Sequence, residues 1–189
     1  MGRDVGNRQA KSFMNRAVFL DRDGVINQVI LREGRPFSPC SLEELVFLPG
    51  VGEALEAFRR GDFKAIVVTN QPDVSKGLLR RETVEAMHER IRHLFPVDDI
   101  KVCYHTDPDD CGCRKPKPGL ILEAARERSI DLSQSFMIGD RWRDMGAGRA
   151  AGCKTVLVGD GYGESGAEMA DVRVGSLLEA SRIVLAYTV

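Results

Sequence analysis

Asp21 and Asp23 stand two residues apart at the end of an apolar run, Ala17-Val18-Phe19-Leu20, with Gly24 directly after them. Two carboxylates on one tight loop repel each other, so the arrangement favours a bound cation or a shared proton. A hard divalent cation such as Mg²⁺ takes oxygen ligands and keeps water or phosphate in its remaining positions. Asp140 follows the run Ser135-Phe136-Met137-Ile138-Gly139, with Asp144 four residues on, and Thr69-Asn70-Gln71 follows the run Phe63–Val68. Any one of these aspartates alone reads equally well as a helix cap or a turn. Polar groups recurring at the ends of three apolar runs point instead to a shared crevice.

A second constellation is built of sulfur and nitrogen. Cys103-Tyr104-His105, five residues, and Cys111-Gly112-Cys113 spell C-x-H-x5-C-x-C. Three thiolates and one imidazole match a closed tetrahedral zinc site, with no position open to water. A redox dithiol is the rival reading, but the spacing is C-x-C and a histidine is included. The stretch runs directly into Arg114-Lys115, so a structural zinc would order two cations beside it. Cys40 and Cys153 read as small buried hydrophobes. His88 and His93 read as surface residues of a helix, and Gly159–Gly163 as a turn, because it lacks the G-x-G-x-x-G spacing of a phosphate cradle.

The elements that must position these groups follow from periodicity. Five short apolar runs, at 17–20, 63–68, 99–103, 135–138 and 154–158, suit strands buried on both faces of a parallel sheet. Between and after them, 51–61, 81–94, 119–128, 143–152 and 176–187 read as helices. Strand alternating with helix predicts an α/β fold with a doubly wound parallel sheet, whose ligands lie at the carboxyl ends of the strands. Residues 1–14 are expected to be a mobile tail and 15–189 a single domain.

With 189 residues, 43% hydrophobic and 29% charged, and a formal net charge of −1, the chain has the make-up of an ordinary globular domain. It has no basic excess to neutralise a phosphate backbone, so nucleic acid is not an expected partner. No apolar run approaches the ~18–20 residues of a membrane span. The start, MGRDVGNRQAKSFMNR, lacks the apolar core of a signal peptide. Its Met-Gly opening has Gly6 where myristoylation wants Ser or Thr. The expectation is a cytoplasmic monomer whose cysteines are thiols or metal ligands.

Four of these segments, in order, carry a resemblance. Phe19-Leu20-Asp21-Arg22-Asp23-Gly24-Val25, Val67-Val68-Thr69-Asn70, Lys115-Pro116-Lys117-Pro118 and Gly139-Asp140-Arg141-Trp142-Arg143-Asp144 resemble the four motifs of the haloacid dehalogenase (HAD) phosphohydrolase superfamily. The resemblance implies a HAD-like Rossmannoid sheet with Asp21 as nucleophile, forming an aspartyl-phosphate, and Asp23 as acid and then base. Covalent catalysis of this kind divides one difficult displacement into two easier ones. It further implies Mg²⁺ held by Asp21, Asp23 and Asp140, with Thr69 and Lys115 on the phosphoryl oxygens and Asp144 orienting Lys115. Lys115 is chosen over Lys117 because the family's lysine directly precedes the first proline.

The segment Cys111-Gly112-Cys113-Arg114-Lys115-Pro116 is similar to the zinc-containing branch of that superfamily, which holds the heptose-bisphosphate and histidinol-phosphate phosphatases. The branch implies a minimal cap, a structural Zn²⁺ on Cys103, His105, Cys111 and Cys113, and a small phosphorylated sugar as substrate. The chain has no room for a lid domain between Val25 and Gly50 or between Asn70 and Ile100. Arg22, Asn70, Gln71, Arg114, Arg141 and Arg32 are the expected substrate contacts, with Arg35 beside Arg32 as a further cation for a second anionic group. A stand-alone phosphatase fits the heptose enzyme better than the histidinol enzyme, which is often fused to a dehydratase. Two departures weigh the other way: the zinc loop is short, and Val29-Ile30 is apolar where sugar-binding residues are expected.

Overall fold

The computed structural model describes residues 14–187, so the expected tail, apart from Met14, lies outside the described residues. Six strands form one parallel sheet in the order β5-β4-β1-β6-β7-β8. They are β1 (Arg16–Leu20), β4 (Phe63–Asn70), β5 (Asp99–Cys103), β6 (Phe136–Gly139), β7 (Lys154–Val158) and β8 (Val172–Val174). Two short strands, β2 (Ile30–Arg32) and β3 (Arg35–Phe37), pair as a separate antiparallel hairpin. The helices are α1 (Val51–Arg60), α2 (Arg81–Leu94), α3 (Gly119–Arg128), α4 (Trp142–Ala151) and α5 (Leu177–Ala186). Among the described residues, no helix is long and apolar enough to cross a membrane.

The period-two alternation of the strands feeds two cores, one on each face. Val18 and Leu20 of β1 join Val67, Ile138 and Val156 under α1, α2 and α5, where Leu55, Phe58, Ile91 and Val184 pack. Ala17 and Phe19 face the other way and join Ile66, Val68 and Met137 under α3 and α4, where Leu120, Ala124 and Ala147 pack. Residues buried on both faces explain why these strands read as continuous apolar runs. In α1, Val51, Ala54, Leu55 and Phe58 form the buried stripe, and the backbone N–H of Gly61 closes the helix on Ala57 and Phe58.

Strand order reverses at β1, with β4 and β5 on one side and β6, β7 and β8 on the other. Such a switch point opens a crevice beyond the carboxyl ends of the strands. The β1, β4 and β6 ends deliver Asp21, Asn70 and Asp140 to it. The hairpin β2–β3 and strand β8 were not anticipated, because three-residue strands are too short to show a period. The hairpin occupies the interval after Gly24 in place of a lid domain.

Phe58 is fully buried at the contact between α1 and the sheet. Phe58→Ala is expected to lower the free energy of unfolding by about 3–5 kcal/mol, through lost burial and a cavity. Urea unfolding with an unchanged m-value checks it.

Candidate active site

A cavity of about 260 Å³ sits at this edge, lined by Asp21, Asp23, Asn70, Lys115, Asp140 and Asp144 at its base. Its rim is formed by Arg114, Arg141, Arg143 and Lys76, with Val29, Pro36 and Phe37 on the hairpin side. Lys115 is almost completely buried, with its Nζ 2.9 Å from Asp21 Oδ1 and 2.5 Å from Asp144 Oδ1. Burial alone would discharge the ammonium, but the two carboxylates outweigh it and raise its pKa above the usual lysine range. Asp144 also accepts from the Arg141 backbone N–H at 3.1 Å, so one carboxylate caps α4 and holds the lysine. Asn70 brackets the lysine from β4: its side-chain amide accepts from Lys115 N and donates to Lys115 O, each at 3.1 Å.

Asp21 Oδ1 takes both Lys115 Nζ and the Arg22 backbone N–H, the latter at 2.8 Å. Its Oδ2 receives no hydrogen bond among the described residues, and Asp21 lines the cavity. Burial, helped by Asp144 and Asp23 and opposed by Lys115, pushes the Asp21 carboxyl up to about 7. Asp140 is raised well above its ordinary value by burial and by Asp21 and Asp144. Its Oδ2 accepts from Tyr162 Oη at 2.9 Å, while its buried Oδ1 has no hydrogen-bond partner. Oxygens of Asp21, Asp140 and Asp144 lie within 4.8 Å of one another. Two buried carboxylates and the half-buried Asp21 against one ammonium, with an orphaned oxygen among them, fit a divalent cation with oxygen ligands.

Asp23 belongs to a different environment. Its Oδ1 accepts from Arg22 Nε at 3.0 Å and Asn27 Nδ2 at 2.9 Å, and its Oδ2 from Arg22 Nη2, Ser38 Oγ and Gln71 Nε2 at 3.0, 2.7 and 2.9 Å. Burial opposes ionisation here, but the Arg22 charge and these donors win, so its pKa falls below the ordinary carboxylate value. Its side chain is therefore not part of the carboxylate cluster expected to hold Mg²⁺; Asp144 stands there instead.

Several expected substrate contacts are also relocated. Arg22 is wholly buried behind Asp23 and does not line the cavity, because the carboxylate and His88 use its N–H groups. Gln71 is buried with its amide nitrogen between Asp23 Oδ2 and Thr69 Oγ1, the latter at 3.0 Å, so it orients the two. Thr69 is likewise buried and is not among the residues that line the cavity. Arg32 is exposed on the hairpin, stacked over the Phe37 ring outside the cavity lining. His88 is buried rather than on the surface, and burial together with Arg22 lowers its pKa to about 4. Cys40 is exposed rather than buried, whereas Cys153 is buried as expected.

Arg114, Arg141 and Asn70 do line the cavity. Arg141 is held by Glu164, and Asp107 grips both Arg114 Nε at 2.8 Å and Arg143 Nη1 at 3.0 Å. Arg143, Ser38 and Tyr162 escaped the sequence reading. Arg143 lies inside the fourth motif, and Gly161-Tyr162-Gly163 shows a bracketed tyrosine, but Ser38 carries no signal at all.

Beside the cavity, Cys103, His105, Cys111 and Cys113 converge. Their Sγ atoms are 3.0–3.7 Å apart, and His105 Nδ1 is 3.3 Å from Cys113 Sγ and 3.7 Å from Cys103 Sγ. A disulfide needs ~2.05 Å, and all five cysteines are free. Zinc–sulfur bonds of ~2.3 Å set tetrahedral edges near ~3.8 Å, so the cluster is compatible with zinc.

The HAD-hydrolase-like family model matches residues 112–178. A Helicobacter pylori protein named D-glycero-β-D-manno-heptose-1,7-bisphosphate 7-phosphatase is 37% identical over 150 residues, covering 76% of this chain and 83% of the relative. This chain belongs to the HAD phosphatase family. A Pasteurella multocida relative of the same name is 32% identical, covering 90% of this chain and 97% of its own. The crystal structure of D,D-heptose 1,7-bisphosphate phosphatase from B. bronchiseptica, complexed with magnesium and phosphate, is similar at a TM-score of 0.79 and 31% identity. That likeness covers 91% of this chain and 99% of the solved one. The HAD-like phosphatase fold and the enzyme class expected from the four motifs are thus both found.

Gly24 tests how closely this HAD site is built. It has φ +82°, and a Cβ there would lie 1.8 Å from Asp140 Oδ2. Gly24→Ala is expected to displace Asp140 and lower kcat/KM for any phosphate monoester by at least ~10²-fold. Steady-state kinetics beside a thermal melt separates this from unfolding.

Proposed function

We propose that the protein removes the 7-phosphate of D-glycero-D-manno-heptose 1,7-bisphosphate by way of an aspartyl-phosphate on Asp21. The observation that carries the chemistry is the pairing of Asp21, with one free oxygen, and Asp23, in a cavity rimmed by arginines. The relatives' name supports the sugar, and the cationic rim suits a substrate with a second phosphate.

Asp23, held as a carboxylate by its donors, first takes the proton of the bound phosphate monoanion; Asp21 Oδ2 then attacks phosphorus, the bond to the sugar oxygen breaks, and Asp23 gives that oxygen the proton. Asp23, now a carboxylate, takes a proton from the water that attacks the phosphoryl group. Inorganic phosphate leaves and Asp21 is restored. Lys115 neutralises charge on the transferring group while Asp144 keeps the ammonium in place. Asp21, Asp140 and Asp144 side chains would surround Mg²⁺, which when bound supplies Lewis-acid stabilisation of the phosphoryl oxygens. Arg114, Arg141 and Arg143 would meet the substrate's second anion.

The four-residue sulfur and nitrogen cluster would hold one structural Zn²⁺, ordering the loop that ends in Arg114-Lys115. Metal analysis is expected to find one zinc per chain after purification without added zinc. Zinc retained after replacing Cys111 and Cys113 by serine would remove the assignment. Activity should nevertheless require added Mg²⁺, since a closed thiolate site offers no Lewis-acid position.

Asp21→Asn is expected to abolish turnover with fold and zinc intact, and Asp23→Asn to lower it by ~10²–10⁴-fold. The substrate is decided by kcat/KM for both anomers of the heptose bisphosphate against histidinol phosphate and fructose 1,6-bisphosphate. A heptose anomer should lead by at least ~10²-fold, equal to ~2.7 kcal/mol of transition-state binding. A lead for histidinol phosphate would overturn the assignment.

A further inference from the structure

Behind Asp23 runs a line of polar groups, buried at Arg22 and His88 and partly exposed at Glu85 and Tyr104, that the phosphoryl chemistry does not touch. Arg22 turns Nε and Nη2 to Asp23 and sends Nη1 to His88 Nε2, 3.3 Å away. The other neighbour of Nη1 is Met87 Sδ at 3.9 Å, a weak acceptor. His88, on α2, is fully buried, and its Nδ1 has no hydrogen-bond partner. That nitrogen faces Glu85 Oε2 at 3.7 Å. Glu85 Oε1 in turn accepts from the hydroxyl of Tyr104, the residue between Cys103 and His105.

The chemistry of the pair fixes the proton. A guanidinium only donates, so the contact with Arg22 requires a lone pair on His88 Nε2. The single ring proton then sits on Nδ1, directed at the Glu85 carboxylate. An acceptor for Nη1 matters because a buried charged donor left unpaired seeks another partner, and the nearest is Asp23 itself. Rotation of the guanidinium toward a second grip would turn the carboxylate that it holds.

We propose that His88 is a positioning residue for the acid–base step, acting as the Nδ1–H tautomer that fixes Arg22 and thereby the aim of Asp23. The inference rests on the reading of Asp23 as the proton donor to the leaving oxygen. It gives α2, far along the chain from either aspartate, a part in the reaction without contact with substrate. It also joins the acid–base carboxylate to the edge of the sulfur cluster through Glu85 and Tyr104.

A histidine that merely filled space would, when replaced, affect all substrates alike. Loss of Asp23's aim should be felt where the leaving group needs a proton and spared where it does not. kcat/KM reports events through the first irreversible step, so it isolates loss of the leaving group from hydrolysis of the intermediate. His88→Leu is expected to lower kcat/KM for the heptose bisphosphate by ~10–100-fold, and for 4-nitrophenyl phosphate, whose phenolate leaves unprotonated, by less than ~3-fold. His88→Gln, with an amide oxygen to accept from Arg22, should restore the sugar phosphate to within ~3-fold of the unaltered protein.

Nitrogen-15 NMR of the unaltered protein gives an independent reading. The chain has three histidines, and the signal missing in His88→Gln identifies this one. Its Nε2 should be unprotonated and its Nδ1 protonated. Equal losses on both substrates, no loss in His88→Leu, a glutamine variant as poor as the leucine, or an Nε2–H tautomer would each overturn the proposal. If His88→Leu does not fold, the glutamine variant and the tautomer decide. An unaltered protein that leaves every phosphate ester intact would defeat the phosphatase reading instead. If Asp23→Asn shows the leaving-group-dependent loss and His88→Leu does not, the phosphatase reading stands and only the role of His88 falls.

Discussion

The Lys115 ammonium, buried between Asp21 at 2.9 Å and Asp144 at 2.5 Å, lies among three carboxylates whose oxygens come within 4.8 Å of one another. Two like charges at such a separation repel by roughly 3–4 kcal/mol even at an effective dielectric of 20. Such a group of carboxylates cannot stay ionised inside a folded protein unless cations are close. Lys115 supplies one positive charge, and the remaining deficit of two matches a divalent ion. Without that ion, burial raises Asp21 and Asp140 toward protonation. Cation binding and proton release at this edge are therefore coupled.

Much of the surrounding structure keeps that ammonium in place. Asn70 holds its backbone from β4, and Asp144 holds its Nζ while capping α4. The loop that leads into Lys115 is gathered by the convergence of three cysteines and a histidine, and Asp107 in that loop ties Arg114 to Arg143. A lysine on a mobile loop would lose this geometry with every excursion of its long side chain. Here its backbone and its charged end are both constrained, from different elements.

Asp21 and Asp23, only two residues apart, are driven in opposite directions by their surroundings. Asp21 has burial and two neighbouring carboxylates against one lysine, and its pKa rises. Asp23 has the Arg22 guanidinium and donors from Asn27, Ser38 and Gln71, and its pKa falls. Environments of this kind hold two neighbouring carboxylates at different levels of protonation. Asp23 stands outside the cluster of Asp21, Asp140 and Asp144, with Arg22 as its clamp.

Much of this was legible in the chain itself. Runs such as Phe63–Val68 and Phe136–Ile138 are apolar because their strands are covered on both faces, and the helix stripe at 51, 54, 55 and 58 repeats with the helical turn. Local periodicity thus determined the doubly wound fold, and short-range spacing determined the C-x-H-x5-C-x-C cluster and the two aspartates at the end of β1. What the tertiary structure decided was the direction in which each polar side chain points. Arg22 reads as a substrate contact in the linear motif, yet a cation beside a buried carboxylate is drawn inward once α2 covers it. His88 looks like a surface histidine on a charged helix, and only the packing of α2 on the loop after β1 brings it to Arg22. Ser38 and Tyr162 come from 15 and 22 residues away to grip Asp23 and Asp140. A hydrogen bond between residues that far apart leaves no periodic trace, because the fold, and not the local chain, sets their distance.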